Sequence, residues 1–143
     1  MDEEEVLFHG TAPPLLIENI LRSRIYESMY WKEKCFALTA ETLLDRAVEL
    51  QALGGHYSNQ KPTEFICLLL KLLHLTPEKE IIYLFLQPDQ EFKYLKALGA
   101  FYLRLTGSPL EIYKNLEPLL MDKSKLRFRQ HGIFFTRFVL IFN

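Results

Sequence analysis

The chain predicts an all-α fold: a single compact domain of about seven helices with an atypical apolar C-terminal tail. Three observations carry that expectation. Apolar side chains recur at three- and four-residue steps, as in Ile17, Leu21 and Ile25, or in Phe92, Leu95, Leu98, Tyr102 and Leu105. Proline and glycine punctuate these stripes, and capping residues precede several of them. The composition, 49% hydrophobic and 24% charged over 143 residues, is that of one globular unit with a substantial core.

In order along the chain, Pro13 and Pro14 suit a first helical turn and open the Ile17, Leu21, Ile25 stripe. A break near Ser28 separates it from a helix over Tyr30 to Phe36. Thr39 caps the next helix, with Glu41 in its first turn and Leu43, Leu44, Ala47, Val48 and Leu50 on its buried side. Gly54 and Gly55 read as its stop. A polar loop, His56 to Lys61, leads to Pro62 and a helix through Phe65, Ile66, Leu69, Leu70 and Leu73. Thr76, Pro77 and Glu78 read as the cap and first turn of a helix carrying Ile81, Ile82, Leu84, Phe85 and Leu86, which stops before Pro88. The Phe92 to Leu105 stripe follows, with Ala97, Gly99 and Ala100 as a low ridge for close helix approach. Gly107 ends it. Ser108, Pro109 and Glu111 form a capping box that launches a helix through Ile112, Leu116 and Leu119. Gly132 to Phe142 is β-prone and very apolar, a segment that packs on the domain or a partner or else favours aggregation.

Charge excludes some functions. The net charge is -1, so no global pull on nucleic acid or anionic lipid is expected. Residues 2–5 are an acidic tip. Lys123, Lys125, Arg127, Arg129 and Arg137 follow Asp122 with no further acid, which reads either as a foothold for RNA or as a basic helix C-terminus that suits the dipole. The N-terminus lacks a signal-like apolar segment, and the Phe65 to Leu75 run is broken by Lys71 and His74. A soluble intracellular protein with no membrane contact is expected. Cys35 and Cys67 read as buried thiols of a reducing compartment.

No pattern for catalysis emerges. His9, His56, His74 and His131 pair with no His, Cys or acid at metal-ligand spacing, so neither metal nor cofactor is expected. No Lys-Ser/Thr follows Gly54-Gly55, so they are no phosphate cradle. Arg104, inside an aromatic and aliphatic run, is expected to be buried and paired with Glu27 or Glu111. The distinctive stretch is Ser23 to Phe36, which combines Tyr26, Tyr30, the only Trp, Phe36, and Arg24, Lys32 and Lys34. Aromatics framed by Arg and Lys dominate binding hot spots and can stack on bases. One reading makes Tyr26, Tyr30 and Trp31 core. The other makes Arg22, Arg24, Tyr26, Tyr30, Trp31 and Lys32 one partner-binding patch, with Lys61, Tyr94 and Tyr113 as weaker candidates, and Lys123, Lys125, Arg127 and Arg129 as RNA contacts.

A collinear set of segments resembles the pre-mRNA-splicing factor 38 family. It comprises His9-Gly10-Thr11, Arg24-Ile25-Tyr26-Glu27-Ser28 with Tyr30-Trp31-Lys32-Glu33, Cys35-Phe36 with Leu38-Thr39-Ala40-Glu41, and Gly54-Gly55 through Lys61-Pro62-Thr63. It continues through Pro77-Glu78-Lys79, Phe92-Lys93-Tyr94, Leu98-Gly99-Ala100, Tyr102, Arg104-Leu105-Thr106-Gly107, Tyr113 and Leu116-Glu117-Pro118-Leu119. No single motif is diagnostic; the ordered set is. The resemblance divides the chain into an acidic tip (1–8), a splicing-factor-38-like helical domain (9–126) and a divergent basic then apolar tail (127–143), which lacks the acidic helix usual in the family.

The resemblance implies a nuclear, non-enzymatic component of the precatalytic spliceosome, joined with the tri-snRNP and needed for activation. It implies a scaffold on which other splicing proteins lay helical segments, monomeric outside the complex, and the near-zero charge agrees with that. Direct RNA binding within the same ribonucleoprotein is the alternative.

Overall fold

The computed structural model describes residues 6–55, 61–129 and the backbone of 133–136. Its body is helical: α1 (Asn19–Glu27), α2 (Ala40–Ala47), α3 (Glu64–Leu75), α4 (Lys79–Phe85), α5 (Lys93–Thr106) and α6 (Pro109–Leu116). Two 3₁₀ turns, Pro13–Leu16 and Glu117–Met121, and a π-helical turn, Trp31–Cys35, complete the helical segments. A two-stranded antiparallel hairpin ends the described chain, with β1 (Leu126–Arg129) pairing Leu126 with Thr136 and Arg129 with Ile133 of β2 (Ile133–Thr136).

The centre is α3. It is apolar nearly all round, and a helix of that kind must be buried. Phe65, Cys67, Leu68, Leu69, Leu70, Leu72 and Leu73 are all enclosed. It packs against α1, α2, α5, the first 3₁₀ turn and the π turn. Each such aliphatic side chain contributes about 1.5–3 kcal/mol on leaving water. Helix α5 lies beside it, and α4 crosses α5 at Gly99, where an added Cβ would stand 2.9 Å from the Phe85 Cβ. The low ridge expected at Ala97, Gly99 and Ala100 is therefore where α4 sits.

Several boundaries differ from the sequence reading. Pro13–Leu16 forms a separate 3₁₀ turn, because Ile17 is extended at ψ 137° and interrupts the stripe. The break at Ser28 is present: its Oγ donates to the Ile25 carbonyl at 2.6 Å and accepts from the Trp31 N–H at 3.2 Å. The Thr39 cap is present too, and the Thr42 hydroxyl accepts from the Thr39 N–H to complete a capping box. Thr76 terminates α3 in the left-handed region, at φ 42°, and Glu78 precedes α4. Ser108 accepts from the Glu111 N–H at 3.3 Å, while the Glu111 carboxylate pairs with Lys79 instead of completing a box.

Gly54 and Gly55 do not stop α2, which ends at Ala47. The Leu53 N–H donates to the Arg127 carbonyl at 2.7 Å, and the Arg129 N–H donates to the Leu53 carbonyl at 2.9 Å. Gly54 lies at φ 135°, and a Cβ there would stand 2.3 Å from the Arg129 carbonyl oxygen. The glycine thus admits β1 against the loop. The β-prone tail begins as the hairpin, and Lys123 to Arg129 occupy a loop and a strand, not a helix end. The Asp-Glu-Glu-Glu tip, most of the His56–Lys61 loop, His131 and the apolar residues from 137 onward lie outside the described residues. Among the described residues, no helix is long and apolar enough to cross a membrane.

Candidate protein-binding site

The Ser23 to Phe36 stretch folds inward at its centre. Trp31 is only 7% exposed and belongs to the core, which corrects its assignment to an exposed patch. The Ser28 bend and the π turn direct its ring between α1 and α3. There it meets Tyr26 edge-on at 5.2 Å and His74 at 5.6 Å, with the Lys71 ammonium 5.8 Å from its ring centre. Tyr26 shares a 2.6 Å hydrogen bond with His74 Nε2. Burial holds the His74 imidazole below its ordinary pKa, and the Lys71 and Arg22 charges push the same way, so the ring is neutral at pH 7. Burial raises the Tyr26 and Tyr30 hydroxyls, which remain protonated. The cluster is an aromatic wall with a polar rim.

Around the wall, Arg24 and Lys32 are exposed and Tyr26 and Tyr30 are half-buried. Arg22 is half-buried, its guanidinium donating to the Pro14 and Ile17 carbonyls and to Asn19 Oδ1 at 3.2–3.4 Å. It ties the first 3₁₀ turn to α1. The weaker candidates separate widely. Tyr94 is buried, and its hydroxyl accepts from the Arg127 N–H at 2.9 Å, so it anchors β1 from the core, which corrects its place among the surface candidates. Lys93 adds a second anchor, donating to the Lys125 carbonyl at 2.7 Å. Lys61 is exposed, and Tyr113 is 64% exposed on α6. Of the basic run, Lys123, Lys125 and Arg127 are exposed and Arg129 is half-buried. Arg104 is exposed, which overturns its expected burial; Glu111 is taken by Lys79.

Sequence reasoning missed a cleft of about 440 Å³ between α2, α4 and α5. Ala40, Leu44 and Val48 form one wall, Ile81, Leu84 and Phe85 the other, and Phe92 and Leu95 complete it with Glu41 and Gln90. Leu84 is 63% exposed and Phe92 48%. The signal was present: Leu44 with Val48 and Ile81 with Leu84 overfill the stripe that a short helix needs for its own core contact. Which residues were surplus depended on how α2 and α4 are rotated.

A second hollow, about 290 Å³, lies beside the start of α3 and is lined by Glu49, Gln51, Thr63, Glu64 and Arg129 among others. Its Thr63 hydroxyl is already used, donating to the Gly54 carbonyl and capping Ile66 N–H. Cys35 and Cys67 are buried free thiols, each pushed up to about 12 by burial, and hence unreactive at neutral pH. Among the described residues, no group of three or more His, Cys, Asp or Glu is placed to hold a metal.

A helical body with an open apolar cleft has the geometry of helix-in-groove surfaces in general. The chain belongs to the PRP38 family, whose model matches residues 7–140 and so runs through the hairpin. It is 62% identical over 120 residues to pre-mRNA-splicing factor 38 of Drosophila melanogaster, covering 83% of this chain and 36% of that protein. It is 59% identical over 124 residues to pre-mRNA-splicing factor 38 of Schizosaccharomyces pombe, covering 87% and 59%. The human pre-mRNA-splicing factor 38A is 54% identical over 120 residues, covering 83% and 38%. The chain thus spans only between 36% and 59% of the length of these relatives. In three dimensions it is similar to a chain of the Snu23–Prp38–MFAP1(217–258) complex of Chaetomium thermophilum, at TM-score 0.88 and 40% identity, over 95% of this chain and 73% of that one.

Proposed function

We propose that this protein is a non-catalytic scaffold of the precatalytic spliceosome, acting in the nucleus with the tri-snRNP when the spliceosome is activated. It does so by holding helical segments of other splicing proteins. The observation that supports this most is the likeness over 95% of the chain to a chain from a complex that also contains Snu23 and an MFAP1 segment. The surface agrees: buried thiols and a neutral, hydrogen-bonded His74 offer little chemistry, whereas apolar surface and exposed cations offer contact. The partner-facing residues assigned here are Arg24, Lys32, Lys61 and Tyr113, with the accessible edges of Tyr26 and Tyr30.

The test is affinity capture from splicing extract with the tagged chain. It should recover tri-snRNP proteins together with the counterparts of Snu23 and MFAP1, and depletion should block splicing after assembly of the precatalytic complex. Normal splicing in a depleted extract overturns the reading. Direct RNA contact is the second reading, supported by the exposed Lys123, Lys125 and Arg127. It requires binding to single-stranded RNA that weakens steeply with salt; no binding at low salt removes it.

A further inference from the structure

We propose that the α2–α4–α5 cleft is a docking site for an amphipathic helix of another protein whose apolar stripe is flanked by Lys or Arg. The inference rests on the scaffold reading only for the class of ligand, a protein helix. It assigns the place and the charge signature.

Geometry comes first. Leu84 and Phe92 stand open above a floor in which Phe85 and Leu95 are buried. They are joined by Leu44 and Val48 into one continuous apolar surface, unlike the scattered single hydrophobes normal on a protein exterior. The cleft's volume, about 440 Å³, falls where shaped ligand sites lie, roughly 300–1,000 Å³. Its walls are rows spaced three and four residues apart, Ala40 and Leu44 on α2 with Val48 at its C-cap, and Ile81-Leu84 on α4. Such rows accept the ridges of a third helix. Among the described residues the lining belongs to helices and a loop, with no strand edge to template an extended peptide.

Charge then selects the partner. Glu41 lines the cleft, Asp45 lies one turn further along the same side of α2, Glu80 lies one turn before Leu84 on α4, and Glu91 precedes Phe92. All four are exposed, and none is in an ion pair among the described residues. Of the nearby cations, Arg46 is paired with Glu49 at 3.6 Å and Lys79 with Glu111, while Lys93 keeps its charge with its ammonium held at the Lys125 carbonyl, leaving four acids against one unneutralised cation. The rim is therefore acidic. It attracts basic flanks and rejects acidic ones, which sets partner choice more than affinity.

The experiment titrates the isotopically labelled chain with two synthetic helices that share one Leu/Phe stripe, one flanked by Lys and the other by Glu. The Lys-flanked helix is expected to bind at least about tenfold more tightly, with the gap narrowing as salt rises. Amide shifts should centre on Leu44, Leu84 and Phe92. Leu84→Ser should weaken binding about tenfold without loss of helicity, and the double variant Glu41→Lys, Glu80→Lys should remove the preference for Lys. Equal affinities, no binding of either helix, or indifference to Leu84→Ser overturns the inference. So does a dimer of the chain that Leu84→Ser dissociates, because a second copy would then be the occupant. Shifts centred on Tyr26 and Lys32 overturn the cleft while leaving the scaffold reading standing. A cleft that binds as described, beside an extract capture without splicing proteins, does the reverse.

Discussion

The Ser23 to Phe36 stretch and the α2–α4–α5 cleft are opposites in sequence and in structure. The first is rich in aromatic and basic side chains, and its centre, Trp31, is core. The second is built mainly of ordinary aliphatics with two Phe, and it is open. The difference teaches that composition reports what a side chain can do, whereas exposure reports what it is left to do. Trp31 spends its surface on Tyr26, His74 and Lys71. Among the described residues Leu84 stays 63% exposed, because α4 is one of the short outer helices and turns only Ile82 and Phe85 fully inward.

The comparison breaks most easily at Trp31. Trp31→Ala should destabilise the fold by about 3–5 kcal/mol in urea denaturation, the usual result for truncating a buried large aromatic. A loss below about 0.5 kcal/mol would return Trp31 to the surface. The next effect concerns the Lys96–Asp122 pair, 2.9 Å apart, with Lys96 only 5% exposed. Lys96→Met removes one partner and should cost about 3 kcal/mol, since it strands a carboxylate in a poorly solvated place. Burial alone would raise the Asp122 pKa, but hydrogen bonds from Ser124 and Lys96 outweigh it and hold the carboxyl below its ordinary value. Because the folded pKa is depressed, the stabilisation is present above the ordinary carboxylate pKa and is lost as pH falls through the folded one. Denaturation followed from pH 6 toward acid should show that loss, and Asp122→Asn should flatten that part of the profile.

A smaller change is expected where α4 meets α5. Gly99→Val crowds the Phe85 Cβ and should cost about 1–3 kcal/mol, read as a lowered thermal midpoint. Because that contact fixes α4, the variant should also weaken binding at the cleft, which Trp31→Leu should not. The smallest stability effect belongs to Leu84→Ser, within about 0.5 kcal/mol, because the side chain is already in water. Stability unchanged with binding lost at Leu84, against stability lost at Trp31, is the sharpest form of the contrast.

Much of the fold was legible in local chemistry. The Thr39 and Ser108 caps, the break at Ser28, the apolar run of α3 and the small-residue ridge on α5 were each visible in the chain, because capping and periodicity act over a few residues. Thr76 and Gly54 were misread for different reasons. Thr76 does mark a helix end, but it closes α3 through the Leu72 carbonyl instead of opening α4. Gly54 suits a helix end and equally suits other tight backbone, and a distant partner makes that choice. For Gly54 that partner is the Arg129 carbonyl, 75 positions away in the chain.

The sequence by itself determined the helical class, the family and the central helix, since these follow from side-chain pattern and an ordered set of short segments. Only the tertiary structure decided which aromatics are core, that Tyr94 and Arg22 are internal ties, and that aliphatics of α2 and α4 are left facing water. A short amphipathic helix carries more apolar surface than one neighbour can cover. Its rotation about its own axis, set by contacts such as Gly99 against Phe85, chooses which part stays open.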